Sequence, residues 1–165
     1  MMRRTLLILI TSLLAALSFL VPCSARAGQV LQAFEPGSLA RIVDTQKGRP
    51  FILVVWSLDC VYCQASLKTI AREMRRRKGL RVVTVSTDAV DDPDAVALMQ
   101  QRLGALGMTR HAWAFGVAPP EQLRYAIDPA WHGEKPRSYW FDGRGGKTAY
   151  SGVITAAMIE RFAPR

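Results

Sequence analysis

Residues 51–58 (FILVVWSL) carry no charge and run directly into a Cys-x-x-Cys pair, Cys60 and Cys63, which opens a segment of helical periodicity. An apolar run without alternation, bounded in this way, predicts a strand buried on both faces, the interior position of a sheet covered by helices. After it, Cys63, Leu67, Ile70 and Met74 recur at spacings of four, three and four, one face of a helix over residues 60–78. The two thiols thus sit one turn apart at the start of a helix. There the free N–H groups and the positive end of the helix dipole stabilise a thiolate. Cys60 is the candidate nucleophile; Cys63, one turn on and expected to be more buried, is placed to resolve a mixed disulfide. The pattern points to disulfide exchange.

The rest of the chain alternates between the two periodicities. Residues 80–87 (LRVVTVST) predict a second buried strand. Asp92 before Pro93 is an N-cap and first-turn signature, and Val96, Met99, Leu103 and Leu106 form an apolar stripe that Gly107 ends. A short helix is expected over residues 119–127, a strand over 138–141, a turn at 142–146 and a returning antiparallel strand over 147–151. Thr155 is suited to cap a last helix with Ile159 and Phe162 facing inward, and residues 36–46 predict a helix before the first strand. The expected fold is α/β: a mixed central sheet with helices on both faces and a helical insertion over about residues 89–127.

Residues 1–27 read as an export segment. Arg3 and Arg4 precede an apolar run over residues 5–21, and Ala25-Arg26-Ala27 has the small-x-small form of a cleavage site. Cleavage there leaves one domain, residues 28–165, whose two cysteines are the Cys-x-x-Cys pair; an uncleaved anchor through residues 5–21 is the alternative. Lipidation at Cys23 fits poorly with Pro22 before it. Export places the thiols in a periplasm or outside the cell, where disulfides persist. Removing Arg3, Arg4 and Arg26 lowers the net charge from +9 to +6, an excess suited to an acidic partner, a membrane surface or solubility. The basic cluster Arg72, Arg75, Arg76, Arg77 and Lys78 is expected to close the helix that begins at Cys60, its cations complementing the dipole before Gly79. Without interleaved aromatics it argues against nucleic acid.

Trp56-Ser57-Leu58-Asp59, the Cys60-Val61-Tyr62-Cys63 motif, the insertion at residues 92–107 and the late Lys135-Pro136-Arg137 before SYWFDGRGG together resemble exported thioredoxin-fold oxidoreductases of the TlpA-like type. The resemblance spans nearly all of residues 28–165. It implies a cis-proline at Pro136 facing the cysteines, with the backbone of Lys135 pairing to an extended substrate. It also implies no cofactor beyond the disulfide, protein thiols or disulfides as substrates, and a reductase that draws electrons from a membrane-bound donor. Such a reductase would serve, for example, cytochrome c maturation or metal-centre assembly. Two positions depart from the pattern. Asp59 stands where thioredoxins carry Trp: its carboxylate would oppose a Cys60 thiolate, accept a proton, or cap the helix. Val61-Tyr62 replaces Gly-Pro, and a Tyr in the second place is similar to glutaredoxins and disulfide isomerases, so an oxidase or isomerase stays open.

A different class of reading is a binding module or metallochaperone with the cysteines as ligands. Copper(I) suits thiolates, but no methionines gather near the motif. His111 and His132, 21 residues apart, lack the spacing of a Cys2His2 zinc site, and Gln64 stands where haem attachment requires His. His132 is also considered as a proton shuttle, and Trp56 as core with a secondary substrate contact. Gly143, Gly145 and Gly146 lack the Lys-Ser/Thr ending of a phosphate loop.

Overall fold

The computed structural model describes residues 31–163; the expected export segment, residues 1–27 with Cys23, lies outside them. Six strands form one sheet in the order β1-β4-β3-β2-β5-β6. They are β1 (Gln32–Phe34), β2 (Phe51–Trp56), β3 (Val82–Ala89), β4 (Ala112–Phe115), β5 (Arg137–Phe141) and β6 (Lys147–Ser151). The first four in space run parallel; β5 and β6 close the edge antiparallel. The helices are α1 (Ser38–Thr45), α2 (Val61–Arg76), α3 (Pro93–Leu106), α4 (Pro120–Ile127) and α5 (Ala156–Phe162).

All six residues of β2 are buried. Ile52, Val54 and Trp56 face one layer with Cys63, Leu67 and Ile70 of α2, Met99 and Leu103 of α3 and Ile159 of α5. Phe51, Leu53 and Val55 face the other, with Ile42 of α1 and Leu123 and Ile127 of α4. The pleat divides a continuous apolar run between two helical layers, as the sequence predicts.

Several termini follow the expected chemistry. Asp92 accepts from the N–H groups of Asp94 and Ala95 to start α3, Gly107 ends it at φ 70°, and Thr155 accepts from Met158 N to start α5. In the β5–β6 turn, Gly143 sits at φ +78°, and a Cβ there would collide with the Gly48 carbonyl oxygen.

Three expectations are corrected. The insertion is not wholly helical: β4 lies within it, and β1 precedes α1. Each is three or four residues long, and AWAF, apolar throughout, gives no period by which to tell strand from helix. The N-cap of α2 is Cys60, not Asp59, since Cys60 has extended dihedrals and its sulfur accepts from Cys63 N. Gly79 does not end α2: the helix stops at Arg76 with Arg77 as its C-cap.

Ser66, fully buried on α2, accepts the N–H of buried Ile154 at 3.0 Å and donates to Tyr62 O at 2.9 Å. It fastens the segment after β6 to the cysteine helix. Ser66→Ala strands the Ile154 N–H and is expected to cost about 1–3 kcal/mol in urea unfolding; an unchanged midpoint would refute this tie.

Candidate active site

Cys60 and Cys63 form a disulfide, with Cα atoms 5.1 Å apart. Cys60 is partly exposed at the mouth of α2, whereas Cys63 is fully buried. Cys60 Sγ lies 3.1 Å from Cys63 N and accepts its hydrogen bond, and the Cys60 carbonyl takes the N–H of Gln64 at 3.2 Å. The sulfur therefore occupies the position where a helix N-terminus stabilises negative charge.

The segment entering the pair is clamped by charged groups from distant parts of the chain. Leu58 N donates to Asp88 Oδ2 at 2.9 Å, and Leu58 O accepts from Arg102 Nη1 at 2.7 Å. A bulge near the end of β3, between Ser86 and Ala89, sets Asp88 there, and buried Ser86 donates to the same carboxylate oxygen. Gln64 Nε2 reaches Ser57 O at 3.4 Å. Sequence reasoning missed Asp88, Arg102 and Ser57. A lone arginine at the border of the α3 stripe was the available signal, and it did not reveal its partner 44 residues away.

Asp59 is exposed and accepts from the Ser57 hydroxyl. That bond, followed by the positive charge of Lys135, holds its carboxyl below the usual range. Lys135 Nζ lies 3.9 Å from Asp59 Oδ1 and donates to Thr87 Oγ1 at 3.1 Å, bringing the loop before β5 to the cysteine mouth. The Lys135–Pro136 bond is cis, the Pro136 carbonyl accepts from Gly152 N at 2.9 Å, and Arg137 pairs with Val55 of β2. Tyr62 is 65% exposed beside the pair, as is Val61 at 77%. Trp56 shares the core layer of Cys63 with no exposed surface, the core position expected of it, and this corrects only the secondary substrate contact: a side chain sealed in the core cannot touch a docked chain. His132 offers its backbone carbonyl to Arg124, and His111 lies at the other end of the sheet, before β4; the structure does not bring the two together. Among the described residues no cluster of three metal-ligating side chains occurs.

Arg137 anchors the loop. It reaches Asp128 at 3.2 Å, Glu134 at 3.1 Å and the Ser151 hydroxyl at 2.6 Å. Burial works against the Asp128 and Glu134 carboxylates. For Asp128 the Ala130 N–H and Arg137 outweigh it; for Glu134 the Ser151 hydroxyl, its own backbone N–H and Arg137 do. Both pKa values lie below the usual range. Burial likewise pushes the Tyr139 phenol up, against the opposing Arg137.

No family model matches the chain, and no curated protein matches it by sequence. Solved structures do match it in shape. A secreted Mycobacterium tuberculosis disulfide oxidoreductase, homologous to E. coli DsbE, superposes with a TM-score of 0.51 at 15% identity, covering 80% of this chain and 90% of its own. The fold is thioredoxin-like. A thiol:disulfide interchange protein of the thioredoxin family from Chlorobium tepidum TLS gives 0.55 at 15% identity over 72% and 80% of the two chains. A DsbF homologue from Corynebacterium diphtheriae gives 0.53 at 15% over 73% of each. The neighbours named are thiol-disulfide oxidoreductases or their homologues, and this chain carries a Cys-x-x-Cys disulfide on the same fold.

Acid should weaken the protein in two stages. A histidine whose folded pKa is lowered binds fewer protons folded than unfolded. His111, held down by burial and then by Arg81 and Arg110, therefore loses its contribution as pH falls below about 6.5. Carboxyls with depressed folded pKa values stabilise above their unfolded values and lose that contribution as pH falls below about 4, the stage assigned to Asp128 and Glu134. In urea midpoints taken from pH 8 to 3, His111→Gln should flatten the first decline. Arg137→Met should cost about 3 kcal/mol at pH 7 and shrink the second. Profiles identical to that of the parent protein would contradict the assignments. Asp88→Ala should also speed hydrogen exchange at the Leu58 amide by roughly fivefold to 150-fold, the loss of about 1–3 kcal/mol of local protection.

Proposed function

We propose that the chain is an exported thiol-disulfide oxidoreductase acting in a periplasm, and that it works as a reductase of protein disulfides. The observation that carries this reading is the Cys60–Cys63 disulfide at the N-terminus of α2, with one sulfur at the surface and the other sealed beneath it. In the reduced form, the Cys60 thiolate attacks one sulfur of a partner disulfide; a mixed disulfide forms and one partner thiolate leaves. The Cys63 thiolate then attacks Cys60 Sγ, releasing the second partner thiolate and closing the Cys60–Cys63 bond. Two electrons pass to the partner, and an upstream donor, proposed to be membrane-bound, must return them.

Residue roles follow from position. The N–H of Cys63 stabilises the Cys60 thiolate as it forms. Lys135 reaches Asp59 beside the pair, and an extended substrate would lie there along Lys135 and Pro136 against the start of β5, with exposed Val61 and Tyr62 offering it apolar contact. Asp59 supports the direction. Held ionised by Ser57 and Lys135, it sets a negative charge next to Cys60 and disfavours the thiolate. Stabilised reduced cysteines make strong oxidants; a destabilised thiolate makes the pair more reducing.

Equilibration with dithiothreitol or glutathione buffers should therefore give a potential near about −270 mV, with Asp59→Asn moving it upward; a value near about −120 mV would mark an oxidant instead. Cys60→Ser should abolish turnover of a protein disulfide, whereas Cys63→Ala should accumulate mixed disulfides through Cys60. A Cys60→Ser variant that keeps full activity would leave a binding module as the reading.

A further inference from the structure

Because β1 to β4 are parallel, their C-terminal ends carry the cysteine site and their N-terminal ends form the opposite pole. At that pole lie Arg49 before β2, Arg76, Arg77 and Lys78 at the end of α2, Arg81 before β3 and Arg110 before β4. All are exposed except Arg81, which is partly so. Glu73, beneath them, is buried and already paired with Arg76 and Arg77 at 3.2 and 3.1 Å. Among the described residues the exposed carboxylates toward this side are Asp44, Asp142, which accepts the N–H groups of Arg144 and Gly146, and Glu160 in the last turn of α5, whose end reaches the first basin; the cations outnumber them. The acids Asp59, Asp88, Asp92, Asp128 and Glu134 gather at the cysteine end. The domain is electrically polar along the strand direction.

Two basins open on the basic pole, of about 410 and 380 Å³. Phe51, Ile52 and Leu80 line the first between Arg49, Arg77 and Arg81; Met74, Leu80 and Met108 line the second between Lys78, Arg81 and Arg110. Shared Leu80 and Arg81 join them into one surface of apolar floors with cationic rims, a pattern suited to the boundary between lipid headgroups and acyl chains. His111 lies on the wall of the second basin, where burial first, and then the nearby charges of Arg81 and Arg110, lower its pKa.

The chain enters at this pole. Gln32 pairs with Trp113 at the start of β1 and β4, and Leu31 is buried just before it. Nine residues separate Leu31 from Val21, the end of the apolar run, and the span from one to the other is at most about 35 Å. Should that run be kept as an anchor, the tether would leave the domain from the basic pole. Charge complementarity, apolar floors and point of entry agree on one occupant. We propose that this pole docks on an anionic phospholipid membrane and holds Cys60 and Cys63 facing away from it. Nucleic acid or an acidic protein would match the charge but would leave the apolar floors and the point of entry without a role. The proposal does not depend on the redox reading.

The described residues cover both faces of their own sheet, so a protein of residues 28–165 keeps the whole core and removes the apolar run from the test. It should co-sediment with phosphatidylcholine vesicles containing a quarter phosphatidylglycerol, be released by 0.5 M salt, and ignore pure phosphatidylcholine. Each basic residue near such a surface is worth about fivefold in partitioning, so Lys78→Glu with Arg110→Glu should cost at least tenfold. The charge-matched pair Lys68→Glu with Arg124→Glu, away from the pole, should cost twofold or less. Unchanged urea-unfolding midpoints in all variants would show that they fold. Equal losses in both pairs, binding to pure phosphatidylcholine, no binding to either vesicle, or binding to heparin or poly-glutamate without vesicles would each overturn the proposal.

Discussion

Everything in this molecule hangs on the burial of β2 on both faces. A strand with six apolar residues and no polar side can exist only between two layers, and the other elements supply them: α2, α3 and α5 on one side, α1 and α4 on the other. Covering a parallel strand in this way requires crossover connections, and the first after β2 is α2. The start of α2 therefore falls at the C-terminal end of the central strand, in the middle of the sheet. The cysteines sit there because the most deeply buried strand delivers its helix there.

Around that point, chemistry is set by a few charges held at long range. Asp88 and Arg102 grip the two sides of the Leu58 peptide, so the chain two residues before Cys60 is held by β3 and α3. The insertion thus has a part in the site without contributing a reacting group. Asp59 and Lys135 set opposite charges beside the sulfur, and Arg137, joined to Asp128, Glu134 and Ser151, steadies the loop that presents Lys135 and Pro136. In the proposed function, a helix terminus that favours a thiolate is set against a neighbouring carboxylate that opposes it, and their balance tunes the pair.

The parallel arrangement also separates the molecule into two unlike ends. Acidic groups accompany the cysteines, while the helix end at Arg76 and the starts of β2, β3 and β4 bring cations together. Arg72 to Lys78 read in sequence as the close of a helix, and locally they are that: Arg75 and Arg76 occupy its last turn, and two of the arginines neutralise Glu73. The other cations, Arg49, Arg81 and Arg110, are far apart in the chain and become neighbours only because every parallel strand begins at the same pole.

What could be read from residues alone were the features written in local chemistry. The buried strand, the thiols at a helix start, the Asp92 and Thr155 caps, the Gly107 stop and the β5–β6 hairpin all follow from periodicity, capping and turn preferences within a few residues. Those preferences are energies of near neighbours, and the chain spells them out in order. The tertiary structure decided the rest: β1 and β4, too short to show a period; Cys60 rather than Asp59 as the cap; and the contacts of Asp88 with Leu58, Arg102 with Leu58, and Lys135 with Asp59. Each of these depends on which distant segments the sheet sets side by side, and a hydrogen bond across 30 or 44 residues leaves no local pattern by which to find its partner.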